Sequence, residues 1–384
     1  MIFLSKIRQL LITLLLVFFL YKSKNLPNIN FYKRYIYACK KSTKLFIDKE
    51  KNNILPFFSI CIPVFNMEKY IEISIISVLN QSFRDFEIVI INDYSTDKSE
   101  QIIKKLQSEF HGIRLINHEN NVGVYKSRID AITNSKGNYI IFLDPDDLFP
   151  NLNLLKDLYE FNLVNSVDIL EFTVILQDEK NNKIYYPLGH RNNHFHNFNQ
   201  TIIYHHDLSN ILFFENNNYS DIFCRCIWNK MIRKDILFKT INFLGESVYE
   251  KEHFDLAEDT IINILNFEFA HNYSNINLIG YMYNIRKDSM SHVNQEEKTR
   301  LKAAYNMLFF YKLFYKYIIN FSKDLNYLYF DLKAFDYYFD NINQLNFPFS
   351  KKKPIINFYK ILLKETNISK EFKEYLEQFL NKTK

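Results

Sequence analysis

Glycine is scarce in this sequence, six residues in 384. That scarcity excludes phosphate cradles built from glycine-rich loops, and neither G-x-x-x-x-G-K-S/T nor G-x-G-x-x-G occurs. Four cysteines, Cys39, Cys61, Cys224 and Cys226, make neither a metal-ligand spacing nor a disulfide framework. Cys61 sits in an apolar run and reads as a small core residue. Positive charge is also confined. Residues 1–50 carry ten Lys and Arg against Asp48 and Glu50, which leaves the rest of the chain at −3. A basic front on a mildly acidic body excludes a nucleic-acid groove running over the fold. No internal repeat is present.

What is abundant is apolar and aromatic material, 47% and 17% of the residues, ample for a sizeable core. One apolar run, Leu10 to Tyr21, is flanked by Lys6, Arg8, Lys22 and Lys24. It is shorter than the ~20 residues that cross a bilayer squarely. With no small-residue cleavage site after it, it reads as an uncleaved signal-anchor, making the protein membrane-associated and single-pass. A cleaved signal or an interfacial helix would also fit the run. Residues 1–24 are thus the membrane segment and 25–55 a basic stalk.

From residue 56 the pattern becomes regular. Apolar, β-branched runs at 57–62, 87–91, 113–116, 139–143 and 167–174 alternate with amphipathic stretches at 68–80, 98–110, 124–133 and 152–165. Such alternation predicts an α/β fold, a mostly parallel sheet with helices on both faces, whose ligand crevice lies beyond the carboxyl ends of the strands. The polar clusters fall there: Asn66 after the first strand, Asn92 and Asp93 after the second, and Asp144, Asp146 and Asp147 after the fourth.

Residues 177–210 read as a polar loop holding His190, His194, His196, His205 and His206; the spacing lacks a partnered pair, and a solvated loop is the simpler reading. From 296 to 384, Lys, Leu, Tyr and Phe recur at helical spacing, which predicts a helical appendage.

The stretch IIFLDPDDLFP concentrates three carboxylates within four positions. Pro145 restrains the backbone so that Asp144 and Asp146 can turn toward one pocket, where they would repel. A divalent cation removes that repulsion. Carboxylate oxygens without neighbouring lysines suit Mg²⁺ or Mn²⁺ completed by water and substrate phosphates. Asp147 reads as a supporting or capping acid.

Two longer runs, FFSICIPVFNMEKYIEISIISVLNQSFRDFEIVIINDYSTDKS and NHENNVGVYKSRIDAITNSKGNYIIFLDPDDLF, resemble family 2 of the inverting, nucleotide-sugar-dependent glycosyltransferases, of GT-A type. P-x-F-N, D-x-S-x-D, N-x-G, a helical Arg and F-L-D-x-D-D occur in the family's order over about 100 residues. The resemblance implies that Pro63, Phe65 and Glu68 line a nucleoside pocket, and that Asp93 holds the base or ribose. It also implies that Arg128 reaches toward the donor, although a packing arginine fits that position equally well. Asp146 would be the main metal ligand and Asp144 a metal or ribose contact, with Mn²⁺ or Mg²⁺ as cofactor. Tyr94 stands where the family most often has glycine, which bears on base selectivity.

WNKMIR (228–233) and AEDT (257–260) are similar to stretches in the acceptor half of such enzymes, and Asp259 is the implied general base. YNIRKDSMS lacks the Q-x-x-R-W of processive synthases, so one sugar is expected per encounter, with Arg286 and Ser289 near the diphosphate or closing the site. The implied partners are a nucleotide-sugar donor, UDP-linked by resemblance, and a glycan, lipid-linked or protein acceptor. Residues 56–175 would be the nucleotide-sugar-binding half, 176–295 the acceptor-binding half and 296–384 the helical region. A degenerate sugar-binding protein, or a nucleotidyltransferase, would keep the same sheet. The latter needs a glycine-rich, cationic loop after the first strand, and PVFNMEKY has neither glycine nor arginine.

Overall fold

A computed structural model describes residues 55–178, 183–185, 202–204, 226–245, 258–286, 349–366 and 368–382. By contacts the chain divides into two compact units, residues 1–253 with 262–292, and 254–261 with 293–384. The apolar run at 10–21, the stalk up to residue 54, the five histidines of the 177–210 stretch and Ser289 lie outside the described residues; that stretch reads as a loop in the sequence, but Lys183–Tyr185 and Ile203–Tyr204 within it are short strands that pair with the sheet. Among the described residues no helix is long and apolar enough to cross a membrane.

The first unit opens with β1 (Phe58–Val64), α1 (Ile71–Leu79), β2 (Phe86–Asn92), α2 (Ser99–Glu109), β3 (Ile113–Asn117), α3 (Val124–Asn134) and β4 (Tyr139–Phe142). It continues with α4 (Leu154–Asn165), β5 (Ile169–Asp178), β6 (Lys183–Tyr185), β7 (Ile203–Tyr204), β8 (Lys230–Arg233), α5 (Lys234–Leu244), α6 (Glu258–Phe269) and β9 (Asn272–Ile285). The first turn of α6 groups with the second unit. The strands form one mixed sheet in the order β3-β2-β1-β4-β8-β5-β9-β7, with β6 paired to β5.

β3, β2, β1 and β4 run parallel. β1 is buried at every position, and Phe58, Ile60, Cys61 and Ile62 are fully so. A strand that is apolar on both sides needs a cover on both sides, which explains its unbroken hydrophobic sequence. α3 packs over β1 and β2, and α2 over β3. β8 is inserted antiparallel between β4 and β5, and β5 then pairs in parallel with β9. β8 and β9 are strands that hydrophobic alternation in the first half of the chain does not announce.

Two glycines are required for close packing in this sheet. A Cβ on Gly137 would lie 2.5 Å from the Ser59 backbone nitrogen, and one on Gly280 would meet Phe172 and Leu154. At the amino ends of the strands, Glu87 is buried and accepts a hydrogen bond from Ser59 Oγ (2.7 Å) while pairing with Arg114 Nη1 (3.1 Å). This satisfied polar cluster is at the edge opposite the acidic loop. In β8 and β5, Lys230 is fully buried against Glu171, Nζ to Oε2 3.1 Å, and also donates to the Cys226 carbonyl and Asn229 Oδ1.

In the second unit, α7 (Phe349–Leu362) and α8 (Lys370–Lys382) pack through aromatic faces, with the Tyr359 and Phe379 rings stacked at 3.9 Å. Both helices fall in the region where the sequence predicts a helical appendage.

Candidate active site

β4 delivers the acidic loop. Leu143 extends the ladder by donating to the Cys61 carbonyl, and the chain then turns at Asp144-Pro145-Asp146-Asp147, closed by the Asp147 N–H to the Asp144 carbonyl (3.0 Å). Proline at the second position of such a turn is pre-set for its φ. The turn is then bolted to β9. Tyr281 Oη accepts the Asp144 N–H (3.1 Å) and donates to Asp147 Oδ2 (2.7 Å), while the Asn284 N–H donates to Asp147 Oδ1 (2.7 Å). Leu148 and Met282 exchange backbone hydrogen bonds next to it.

Asp147 is therefore inside, with 1% exposure, and supports the loop. It caps no helix, since α4 starts at Leu154. Asp144 and Asp146 keep 22% and 15% of their side-chain surface open.

Each of those two acids has an arginine. Arg128, buried in α3, reaches Asp144 Oδ1 with Nη2 (3.0 Å). Arg286, immediately after β9, places Nε and Nη2 at 2.9 and 2.8 Å from Asp146 Oδ2 and lies over the Tyr70 ring at 4.7 Å. The arginines do not cancel the strain of the acids. Burial, then the Asp144 charge, holds the Asp146 carboxyl above the usual carboxylate range despite Arg286. Burial, then the charges of Asp146 and Asp144, pushes Asp147 well above it. Tyr281 is raised by burial and by the facing Asp147 carboxylate.

This donor set fits a hard divalent cation. Two partly open carboxylates on one turn offer the oxygen ligands that Mg²⁺ and Mn²⁺ prefer. Among the described residues no three His, Cys, Asp or Glu side chains form a closed cage. An ion held at Asp144 and Asp146 would complete its shell with water and substrate oxygens.

The loops after β1 and β2 are zipped together beside the acids. Asn66 Oδ1 accepts from the Thr96 N–H (2.8 Å), Asn66 N–H donates to Ser95 Oγ (3.0 Å), and Met67 N–H to Ser99 Oγ (2.7 Å). Glu68 and Asp97 exchange caps across the gap, Lys98 N–H to Glu68 Oε2 (3.0 Å) and Glu68 N–H to Asp97 Oδ2 (2.9 Å). Glu68 thus ties down the start of α2 while staying exposed at the crevice edge. Pro63 is buried in β1, and the Phe65 ring just beyond it is 44% exposed. Tyr94 takes φ 62°. A side chain in that left-handed region costs about 1–2 kcal/mol, which a glycine would avoid. The departure from glycine read in the sequence therefore falls on a strained backbone.

Asp93 is buried and its oxygens accept the Val122 and Gly123 N–H groups at 2.9 and 2.8 Å. Gly123 has φ 91°, which lets successive N–H groups converge on one carboxylate. His118 lies between Asp93 and Asp130, its ring nitrogens 2.8 and 3.0 Å from their oxygens, and Lys126 closes the chain on Asp130 (2.8 Å). Asp93 fixes the N-V-G loop that starts α3, the helix carrying Arg128.

Trp228 stacks on Tyr281 at 4.4 Å and on Tyr283 at 5.6 Å. The W-N-K segment is thereby fastened to the same tyrosine that holds the acidic loop. Tyr281, His118 and Asn284 are positioning residues that sequence reading passes over. Only the short spacing of Tyr281 to Arg286 in YMYNIR hints at the first. Asp259 stands in the first turn of α6, half-buried and grouped with the second unit, so the loop geometry above does not include it.

Residues 59–237 match the family model described as Glycosyl transferase family 2. An uncharacterized glycosyltransferase of Haemophilus influenzae is 35% identical over 130 residues, 34% of this chain and 52% of that protein. The minor teichoic acid biosynthesis protein GgaB of Bacillus subtilis is 27% identical over 241 residues, 61% of this chain and 23% of that protein. The chain therefore spans about half of the first relative and under a quarter of the second. Among solved structures, that of S. aureus TarS with UDP-GlcNAc superposes with a TM-score of 0.54 at 18% identity, covering 85% of this chain and 88% of that one. It shares the mixed sheet with flanking helices and a helical C-terminal segment. Residues 59–237, the stretch that matches the model described as Glycosyl transferase family 2, hold the acidic loop, the loops after β1 and β2, and Arg128.

Proposed function

We propose that this chain is a metal-dependent, inverting glycosyltransferase of GT-A type that moves one sugar from a nucleotide-sugar to an acceptor hydroxyl. The observation that carries the reading is the pair Asp144 and Asp146. They are partly open, mutually repelling and arginine-braced at the carboxyl end of β4, where the parallel strands of such a sheet present their ligand crevice. A bound divalent cation supplies positive charge that offsets the charge developing on the leaving diphosphate.

Asp146 and Asp144 are the residues to hold it, and Arg128 and Arg286 orient those carboxylates. Pro63, Phe65 and Glu68 border the nucleoside end, and Asp93 shapes it through the 121–123 loop. Asp259 takes the acceptor proton as the acceptor oxygen bonds to the sugar C1 and the bond from C1 to the diphosphate oxygen breaks. That is one displacement, and the configuration at C1 inverts. UDP-N-acetylglucosamine, the compound named with the TarS structure, is the first donor to try; the teichoic acid role in the name of GgaB makes an anionic glycan polymer the first acceptor. Residues 1–24 would anchor the enzyme at the membrane where such acceptors are built.

The test separates the two acids' jobs. Asp259→Asn is expected to keep donor-induced thermal stabilisation with Mn²⁺ while transfer falls at least a hundredfold, because a ligand still bound to the folded state still raises its stability. Transfer by Asp259→Asn at the wild-type rate would remove Asp259 as the base.

A further inference from the structure

α7 carries charge where a helix does not favour it. Helices gain from acids in the first turn and cations in the last, and α8 has Glu371 in its first turn. α7 has no acid there, and Lys351, Lys352 and Lys353 fall within its first five residues. Cations at that end oppose the helix dipole, so the stability of the helix does not account for them. From 349 to 366 five lysines stand against Glu365 alone. α8 instead sets Lys370, Lys373 and Lys382 against Glu371, Glu374 and Glu377, and pairs Lys370 with Glu374 at 3.7 Å. The fold lines up three of the α7 lysines. Ile356, Phe358, Tyr359 and Leu362 are buried, while Lys353, Asn357, Lys360, Ile361 and Lys364 are exposed, the spacing of one helix face. Lys364 stands in the closing turn, where the Leu363 N–H donates to the Tyr359 carbonyl and the Lys364 N–H to the Ile361 carbonyl, both at 3.0 Å. At about 100° and about 1.5 Å per residue, the three lysines share an arc of about 40° and span roughly 16 Å. Among the described residues none of the three has a carboxylate within ion-pair distance.

We propose that this face of α7 docks on an anionic lipid surface, with Lys353, Lys360 and Lys364 against the headgroups and Ile361 at their boundary with the acyl chains. Charge complementarity carries the first half: a line of unpaired cations is what a surface of fixed negative charge attracts. Ile361 carries the second. It is 47% exposed on the edge of the lysine line, and an apolar residue among cations suits the interface of a bilayer, whereas a soluble polyanion offers nothing apolar to receive it. The opposite side of α7 is already occupied, with Tyr359 stacked on Phe379 of α8, so the lysine face can meet the lipid without unpacking the pair. The site belongs to the second unit and is independent of the transfer reaction. It is also distinct from the apolar run at 10–21, which would enter lipid of any charge.

The experiment uses the full chain carrying Ile361→Trp as a reporter, since the one native tryptophan, Trp228, is buried and stacked on Tyr281. The protein is mixed with vesicles of brominated phosphatidylcholine, alone or with phosphatidylglycerol added, and quenching of the new tryptophan by the acyl-chain bromine is followed. Quenching is expected in the anionic vesicles and not in the neutral ones, and it should fall as salt is raised. Neutralising a lysine should weaken docking about fivefold, so Lys353→Gln, Lys360→Gln and Lys364→Gln together should weaken it roughly a hundredfold. That loss brings the signal in anionic vesicles down to the neutral level. All three positions are exposed, so the variant should unfold as cooperatively as the parent. Equal quenching in neutral and anionic vesicles, or quenching that survives the triple substitution, would overturn the proposal, because the chain would then be held by its apolar run alone. No quenching in anionic vesicles would overturn it as well. A tryptophan shift produced by soluble polyphosphate but not by vesicles would assign the lysines to a polyanionic chain instead of a membrane. None of these outcomes bears on the transferase reading.

Discussion

Replacing Tyr281 by Phe removes one oxygen and should loosen the acidic loop without touching the fold around it. The hydroxyl accepts the Asp144 N–H and donates to Asp147 Oδ2, while the ring stays stacked on Trp228 in the variant. A buried polar group deprived of its partner costs about 1–3 kcal/mol. Asp147, at 1% exposure, carries most of that cost, although the Asn284 N–H still holds its other oxygen; Asp144, partly open, carries the smaller share. Together the loss is roughly 2–4 kcal/mol on the same basis. For a domain of this size, at roughly 2–4 °C per kcal/mol, the melting temperature should fall by about 5–15 °C. Urea unfolding gives the free energy directly, and an unchanged m-value shows that the native state keeps its compactness. A loss below about 0.5 kcal/mol, the scatter of ordinary surface substitutions, would mean that Tyr281 does not tie the loop down.

Two further outcomes follow from buried charge. Asp147 has a folded pKa raised well above its unfolded value, so its contribution is fully present below the unfolded pKa, near ~3.9, and is lost as pH rises through the folded one. Asp147→Asn, which keeps an acceptor without the charge, should gain on wild type as pH climbs from 4 to 8 in unfolding experiments. A constant difference across that range would contradict the assignment. Lys230→Met strands the buried Glu171 carboxylate and should cost about 3–5 kcal/mol, whereas adding Glu171→Leu should recover part of it. No recovery in the double variant would show that the pair is not coupled.

How much of this was legible beforehand follows from locality. β1 to β4 and the helices between them were readable because each is a local pattern: an apolar, β-branched strand such as FSICIPV, then an amphipathic stretch. The acidic loop was readable for the same reason, three acids in four positions after a buried strand. β8 was hidden by its length, four residues, and β9 by Asn and Ser scattered through NYSNINLIGYMYNI and by register shifts against β5.

The partners of the acids were hidden by distance. Arg286 is 140 residues from Asp146 and Tyr281 134 from Asp147, and one sequence shows side-chain chemistry but not which remote groups the sheet order brings together. Arg128 had two equal readings until its burial against Asp144 fixed what it touches. Asp93 read as a donor contact, and in the fold its oxygens organise the loop that starts α3.

The most direct test of the central reading is donor turnover by the full chain. Purified protein is offered a panel of nucleotide-sugars, UDP-N-acetylglucosamine first, with Mn²⁺ or Mg²⁺ and then with chelator, beside Asp146→Ala, and release of nucleoside diphosphate is followed. The expected result is metal-dependent release from at least one donor, lost by a hundredfold or more in Asp146→Ala while the variant still unfolds cooperatively. Release that persists in chelator and in Asp146→Ala, or none from any donor, would contradict it.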